Sequence, residues 1–403
     1  MNGAAVVDAE PLSRRVVIMA GGTGGHVFPG LAVAEELRRR GVEVTWLGTV
    51  RGIEARLVPA AGFSLRTLQA RGLRGGGAVR WLSAPFMLLR GVWQAFRALR
   101  QLRPGLVLGM GGYVAGPGGL AAWLLRCPLV LHEQNAVIGL TNRLLLPLSR
   151  VALFGFPQVT GVSGIGDYRA QGQGDEQADH YRRLFVGNPV SQPMSELAGR
   201  SGRFNRRDSD DPVRLLVLGG SQGARAINQL VVALAATPFA SRLQIIHQCG
   251  RGLFDETVEA YQSAGLEPHC AAGDEIDFQS PAPLSLCGFI ANMPAVYQWA
   301  DLVVARAGAQ TVSELCAAAL PSILIPLPSA AGDHQTANAA YLADSQAARL
   351  LPQRELTVDK LIAALKQVCT EKVLALMANS AAALARTDAA QQAADICLEQ
   401  YRA

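Results

Sequence analysis

The same short pattern opens both halves of this 403-residue chain. Residues 14–26 read RRVVIMAGGTGGH and residues 213–225 read VRLLVLGGSQGAR. In each, a short β-rich apolar run meets Gly-Gly-[Ser/Thr]-x-Gly and passes into a helical pattern. A strand that turns through glycines into a helix is how a Rossmann-type unit begins, so two such openings predict two units. The apolar runs VEVTWLG, LVLGMGG and PLVLHE follow the first opening. LQIIHQCG, LSLCGFI, DLVVARAG and SILIPLP follow the second. Helical stretches lie between many of them, which argues for parallel sheets covered by helices and an α/β fold class.

The breaker-rich stretch GNPVSQPMSELAGRSGRFNRRDSDDP separates the halves. It divides the chain into a first domain over 1–190, a second over 191–387, and a last helix over 388–403 that crosses back to the first. Residues 161–181 and 267–283 read as surface loops. Half of the residues are hydrophobic (50%) and 17% are charged, so both domains can bury a core. The seven cysteines include no C-x-x-C pair, which points to reduced thiols rather than a disulfide framework or a zinc site. A net charge of +5 without a dense basic run gives no nucleic-acid groove. The opening residues lack the charged-then-apolar order of a signal peptide. The most apolar stretch, Trp81–Leu99, is interrupted by Arg90, Gln94 and Arg97, so no membrane span is expected.

Glycines at a strand-to-helix turn let backbone N–H groups approach an anion or a sugar, with the helix dipole behind them. A P-loop is excluded because His26 stands where its lysine is needed. A dinucleotide fingerprint is also a poor fit. After Gly22 and Gly24 the sixth position is Val27, and the next strand ends in Gly48 and Thr49 instead of an acid. A turn that merely packs helix on strand explains one loop well and two matched loops poorly.

In the second half, ARAGAQTVSELCAAALPSILIPLP places a strand end at Ala305 and a helix start near Thr311, whose unbonded N–H groups suit a diphosphate. Glu314, one turn in, can accept hydrogen bonds from both hydroxyls of a ribose. It also fits a capping box with Thr311. Asp333, Gln335 and Asn338 follow another strand. In the first half, the small residues of GMGGYVAGPGGLAAW keep a cleft open, and His132, Glu133, Gln134 and Asn135 cluster at a strand end, where such side chains often satisfy loop backbone. Between 81 and 96, Trp81, Leu82, Pro85, Phe86, Leu88, Leu89, Val92, Trp93 and Phe96 recur at helical spacing, preceded by Arg71, Arg74 and Arg80. An apolar stripe with a basic flank suits an anionic membrane surface, and Trp123 and Arg126 can join it. An ordinary core helix has the same period.

Seven ordered motifs, GGTGGHVFPGLAVAEEL, GMGGYVAGPGGLAAW, LHEQNAVIGLTN, GNPV, LGGSQGARAIN, GAQTVSE and DHQTANA, resemble the MurG family of peptidoglycan N-acetylglucosaminyltransferases along nearly the whole chain. The resemblance implies a GT-B fold, with two Rossmann-like domains facing across a cleft. It also implies inverting transfer of GlcNAc from UDP-GlcNAc to the C4 hydroxyl of the lipid-linked muramoyl sugar of lipid I, giving lipid II. By motif, Thr23, Gly24, Gly25 and Asn135 would lie near the sugar and Ser221 at the diphosphate. Ile290 would touch uracil through its backbone. Ala309, Gln310, Thr311, Val312, Ser313 and Glu314 would hold the nucleotide, and Gln335 the GlcNAc. Ser191 stands where the family commonly has arginine, and Gln310 where many members have leucine.

Inverting chemistry needs a base and a stabilised leaving group. His26 is the favoured base and Glu133 the alternative; a purely orienting His26 at the helix start is the competing view. The single D-x-D, Asp208-Ser209-Asp210, sits in the polar linker and reads as solvated charge, so helix N-termini are expected to carry the leaving group without a metal or other cofactor. The implied partners are UDP-GlcNAc, lipid I, an anionic membrane surface and other cell-wall synthesis enzymes, at the cytoplasmic face of the bacterial inner membrane. Three alternatives stand beside this reading. They are another UDP-sugar-dependent GT-B glycolipid glycosyltransferase, a UDP-GlcNAc 2-epimerase, and a non-catalytic nucleotide-sugar sensor.

Overall fold

The computed structural model describes residues 14–69, 78–168, 182–198, 211–220, 223–270, 281–328 and 330–402. The chain forms two compact units. One comprises Met1–Gln134, Ile138–Pro189 and Asp388–Ala403; the other comprises Asn135–Val137 and Val190–Thr387. Asn135–Val137 and Val190 group with the second unit. Asn338 Oδ1 accepts from Ala136 N at 2.8 Å, and Asn338 Nδ2 donates to Asn135 Oδ1 at 3.3 Å.

The first sheet holds β1 (Arg15–Met19), β2 (Glu43–Gly48), β3 (Ser64–Thr67), β4 (Leu106–Gly109), β5 (Leu129–Glu133), β6 (Val151–Phe154), β7 (Gly166–Asp167) and β8 (Arg183–Phe185). Its order is β3-β2-β1-β4-β5-β6-β8-β7, parallel throughout. The second holds β9 (Val213–Leu218), β10 (Leu243–Gln248), β11 (His269–Cys270), β12 (Leu284–Cys287), β13 (Leu302–Ala305), β14 (Ser322–Leu324) and β15 (Ala348–Leu350). Its order is β11-β12-β10-β9-β13-β14-β15, also parallel. Central strands of a covered parallel sheet are buried on both faces and therefore read as unbroken apolar runs. Val16–Met19 and Leu302–Ala305 are such runs, each residue buried.

The helices of the first unit are α1 (Gly24–Arg39), α2 (Glu54–Ala60), α3 (Ala78–Leu102), α4 (Gly112–Leu124) and α5 (Leu140–Leu145). The second unit adds α6 (Gln192–Ser195), α7 (Arg225–Ala235), α8 (Phe254–Ser263), α9 (Met293–Trp299), α10 (Ala309–Ala317), α11 (His334–Asp344), α12 (Val358–Val368) and α13 (Glu371–Ala383). The last helix, α14 (Ala389–Glu399), packs on α1 in the first unit. Its Ala393, Ala394, Ile396 and Cys397 join the core of Ile18, Val33 and Trp46. The following Tyr401 accepts at its hydroxyl from Arg15 N (2.9 Å), and Arg402 N donates to Gly105 O (3.0 Å). A second core, built on Leu215, Val217, Leu230, Val304 and Ile323, is closed by α12 and α13.

In each sheet, besides an inverted pair at one edge (β8-β7 and β11-β12), the strand order reverses in the middle, between β1 and β4 and between β9 and β13. Such a reversal leaves a crevice at the carboxyl ends of the two strands, because their following helices cover opposite faces. The loops at these two places are the ones the sequence singled out.

Candidate active site

At the first reversal, two glycine loops pack against each other. Gly22, Gly111 and Gly112 have φ of 96°, 95° and 78°, a region that only glycine enters without cost. A Cβ on Gly22 would stand 2.8 Å from the Tyr113 ring, and one on Gly111 would stand 2.9 Å and 3.1 Å from Cδ2 and Nε2 of His26. Gly22 therefore makes room for the Tyr113 ring, and Gly111 for the imidazole. Its other side is held by Thr23, whose Oγ1 lies 3.0 Å from Nδ1. Thr23 is the N-cap of α1, yet its side chain makes no capping bond, so its hydroxyl serves the histidine instead.

The loop is fixed from behind by Glu54, a residue that sequence patterning did not pick out. Fully buried, its carboxylate accepts from Gly22 N (3.1 Å), Thr49 N (2.9 Å) and Thr49 Oγ1 (2.7 Å). Gly21 and Gly48 admit it: a Cβ on either would come within 2.7 Å of the Glu54 side chain.

Glu133, the alternative base, is committed elsewhere. It is buried, and its Oε2 accepts from Gly139 N and Asn142 Nδ2, both at 2.9 Å. It ties down the loop after β5. His132 is structural as well. Its Nε2 donates to Gly187 O (3.0 Å), Gln134 Nε2 lies 3.3 Å from Nδ1, and burial pushes its pKa down to about 4.

At the second reversal, Gly219, Gly220 and Gly223 lead toward α7, with φ of 80° at Gly220 and 76° at Gly223. Ser221, like the Asp208–Asp210 stretch and Arg71 and Arg74, lies outside the described residues. The loop is held by Gln248, again unforeseen. Its amide accepts from Gly220 N (3.0 Å) and donates to Gly220 O (3.1 Å) and Gly288 O (3.0 Å). Ile290 follows shortly after and is buried.

Helix α10 starts at Ala309 with Gly308 as N-cap, two residues before the expected start. Thr311 is thus inside the helix, and the capping box with Glu314 does not form. No side chain caps this end and no acid stands in its first turn, so the unbonded N–H groups and the dipole favour an anion. Ala309 and Val312 turn into the core, and Ser313 Oγ donates back to Ala309 O (3.0 Å). Glu314 is half-buried. Its Oε2 accepts from Tyr297 Oη (3.1 Å) and its Oε1 from Gln310 Nε2 (3.2 Å). Burial raises its pKa to about 7 against the opposing pull of these two bonds. Gln335 accepts from Leu327 N at 2.9 Å, holding the loop after β14. Ser191 is the exposed N-cap of α6.

On the first unit, α3, α4 and α5 pack in series on one face. Phe86, Leu88, Leu89 and Trp93 of α3, Trp123 and Leu124 of α4, and Leu140 and Leu144 of α5 are all exposed, Phe86 and Leu140 by 71% and 72%. The buried side of α3 is Gly91, Ala95 and Leu99, so the apolar stripe divides between core and solvent. Arg97 stacks over Trp93 at 4.8 Å. Among the described residues no helix is long and apolar enough to cross a membrane.

Comparison with known proteins covers the same ground. Residues 16–151 match the glycosyltransferase family 28 N-terminal domain, and residues 214–394 match the glycosyltransferase family 28 C-terminal domain. A protein of Alkalilimnicola ehrlichii named UDP-N-acetylglucosamine–N-acetylmuramyl-(pentapeptide) pyrophosphoryl-undecaprenol N-acetylglucosamine transferase is 48% identical over 96% of this chain and 99% of its own. One of the same name from Chromohalobacter salexigens is 46% identical over 96% and 97%. The crystal structure of Acinetobacter baumannii MurG superposes with a TM-score of 0.74 at 35% identity, covering 96% of this chain and 99% of that one.

Proposed function

The chain belongs to glycosyltransferase family 28, and from that premise we propose that it transfers N-acetylglucosamine from UDP-GlcNAc to the C4 hydroxyl of the muramoyl sugar in undecaprenyl-pyrophosphoryl-MurNAc-pentapeptide. The observation that carries this reading is the unlike equipment of the two strand reversals in a chain so similar to transferases of that name. One presents a histidine among glycines, and the other an uncapped helix start followed by a carboxylate.

His26 is the base. With Nδ1–H donating to Thr23 Oγ1, the lone pair is on Nε2, on the side of the ring that faces Gly111. As the acceptor oxygen forms its bond to the anomeric carbon, Nε2 takes the hydroxyl proton. The bond from that carbon to the diphosphate oxygen breaks with inversion, and UDP leaves. The departing charge meets the N–H groups at the start of α10, a fixed-dipole stabilisation that needs no metal ion. Glu314 accepts from the ribose hydroxyls; the family resemblance assigns Thr23, Gly24, Gly25, Asn135 and Gln335 to the sugar. The exposed apolar face of α3, α4 and α5, with its arginines, supports docking on an anionic bilayer, where the acceptor's lipid resides. On this reading the protein works peripherally at the cytoplasmic face of the inner membrane, among other enzymes of cell-wall synthesis.

The test is UDP release from UDP-GlcNAc with and without the lipid acceptor. Release should require the acceptor, persist in a chelator, and fall by about 10²- to 10⁴-fold in His26→Ala while UDP affinity stays unchanged. Turnover by His26→Ala at the wild-type rate would remove the histidine from the chemistry; a chelator that stopped turnover would remove the dipole account.

A further inference from the structure

Glu314 does not stand alone. Its two carboxylate oxygens are each met by a different donor: Oε2 by the Tyr297 hydroxyl from α9, and Oε1 by the Gln310 amide one turn back on α10. We propose that Tyr297 and Gln310 are positioning residues for nucleoside recognition, holding the Glu314 carboxylate in the one orientation from which it accepts the ribose hydroxyls of the donor. This rests on the assignment of Glu314 to the ribose made above.

The geometry supports it in three ways. First, a carboxylate offers about four lone-pair sites, so two donors orient it without exhausting it. Second, the donors come from separate elements. Tyr297 is fully buried, so its ring is fixed by packing and its hydroxyl is a rigid anchor, with α9 itself secured by the Asn292 side chain accepting from Ala295 N (3.2 Å). Gln310 stands at i−4 on the same helix as Glu314, the spacing at which helical side chains meet. Third, neither donor titrates away in the working range. The Tyr297 hydroxyl is driven well above its usual pKa by burial and by Glu314, and a side-chain amide keeps its protons throughout that range. A long, half-exposed glutamate otherwise samples several rotamers, and ordering it only on binding weakens the complex.

The experiment compares UDP with 2′-deoxy-UDP by calorimetric titration of the full chain at pH 8. Wild type should prefer UDP by about tenfold or more, the range of a hydrogen bond to a charged group. Glu314→Ala should bring the ratio close to one. Tyr297→Phe and Gln310→Leu should each reduce it by about three- to tenfold, and the double variant should approach Glu314→Ala. Loss of affinity for both nucleotides in equal proportion, or an unchanged ratio in both single variants, overturns the positioning role and leaves the Glu314 assignment standing. A wild-type ratio near one, or one that survives Glu314→Ala, overturns the ribose assignment itself and the positioning role with it. If Tyr297→Phe fails to fold, Gln310→Leu, at a half-exposed site, decides alone.

Discussion

The two glycine loops are spelled almost alike and are supported by opposite chemistry. Behind Gly22 stands Glu54, which only accepts: from Gly22 N, Thr49 N and Thr49 Oγ1. Behind Gly220 stands Gln248, which accepts from Gly220 N and donates to two carbonyls, those of Gly220 and Gly288. The helices differ too. The first starts at Gly24, early enough to carry His26 in its first turn; the second starts at Arg225, past the position that corresponds to His26. A fixed negative charge beneath a loop opposes an anion in front of it, whereas an amide does not. Likeness at the turn thus conceals a division of labour. On the proposed reading, the loop backed by charge carries the base, and the loop backed by an amide sets no fixed charge against the donor's diphosphate.

The sharpest way to break this contrast is Gln248→Glu. The new carboxylate would face Gly220 O and Gly288 O with no donor for one oxygen. An uncompensated buried charge costs about 3–5 kcal/mol. The second unit should melt earlier in calorimetry, and UDP should no longer raise the melting temperature. A well-folded, UDP-binding variant would show that neutrality behind this loop is not required. The reciprocal change, Glu54→Gln, should be milder. The amide must aim a donor at either Gly22 N or the two Thr49 donors, losing a buried hydrogen bond worth about 1–3 kcal/mol. Turnover should fall while UDP affinity, a property of the other unit, stays at the wild-type value. A parallel loss of both would erase the distinction between the loops.

These supporting residues explain what could and could not be read from the chain. Alternating apolar runs and glycine turns are local signals, and they predicted two parallel sheets, their glycine openings and a last helix that the structure packs on α1. Glu54 acts on Gly22 across 32 residues, and Gln248 on Gly220 across 28. Nothing local marks either one, since a glutamate at a helix start and a glutamine at a strand end are ordinary. Tyr297 was equally silent, because its partner Glu314 lies on the next helix. Local spelling also misled: Thr311 to Glu314 looks like a capping box, but the helix already begins at Ala309 because Gly308 takes the extended conformation an N-cap needs. Glu133's two donors, Gly139 and Asn142, are likewise brought to it by the turn of the chain after β5.

The smallest effect expected is on pH, and it separates the units most cleanly. Glu314 has its pKa raised to about 7 by burial. A carboxyl that holds its proton more tightly folded than unfolded contributes stability at low pH, lost as pH rises from the ordinary carboxylate range toward 7. Donor binding has the opposite sign, because ribose hydroxyls donate best to the ionised form. Between pH 8 and pH 6 the ionised fraction falls from about 0.9 to about 0.1. Affinity for UDP-GlcNAc, whose phosphates do not titrate there, should therefore fall by up to about tenfold. Measured as equilibrium binding without acceptor, this profile isolates the second unit from His26. Glu314→Gln should flatten it, and His26→Ala should leave it unchanged. If His26→Ala flattened the profile instead, the titrating group would belong to the first loop, and the assignment of the donor to the second unit would have to be reversed.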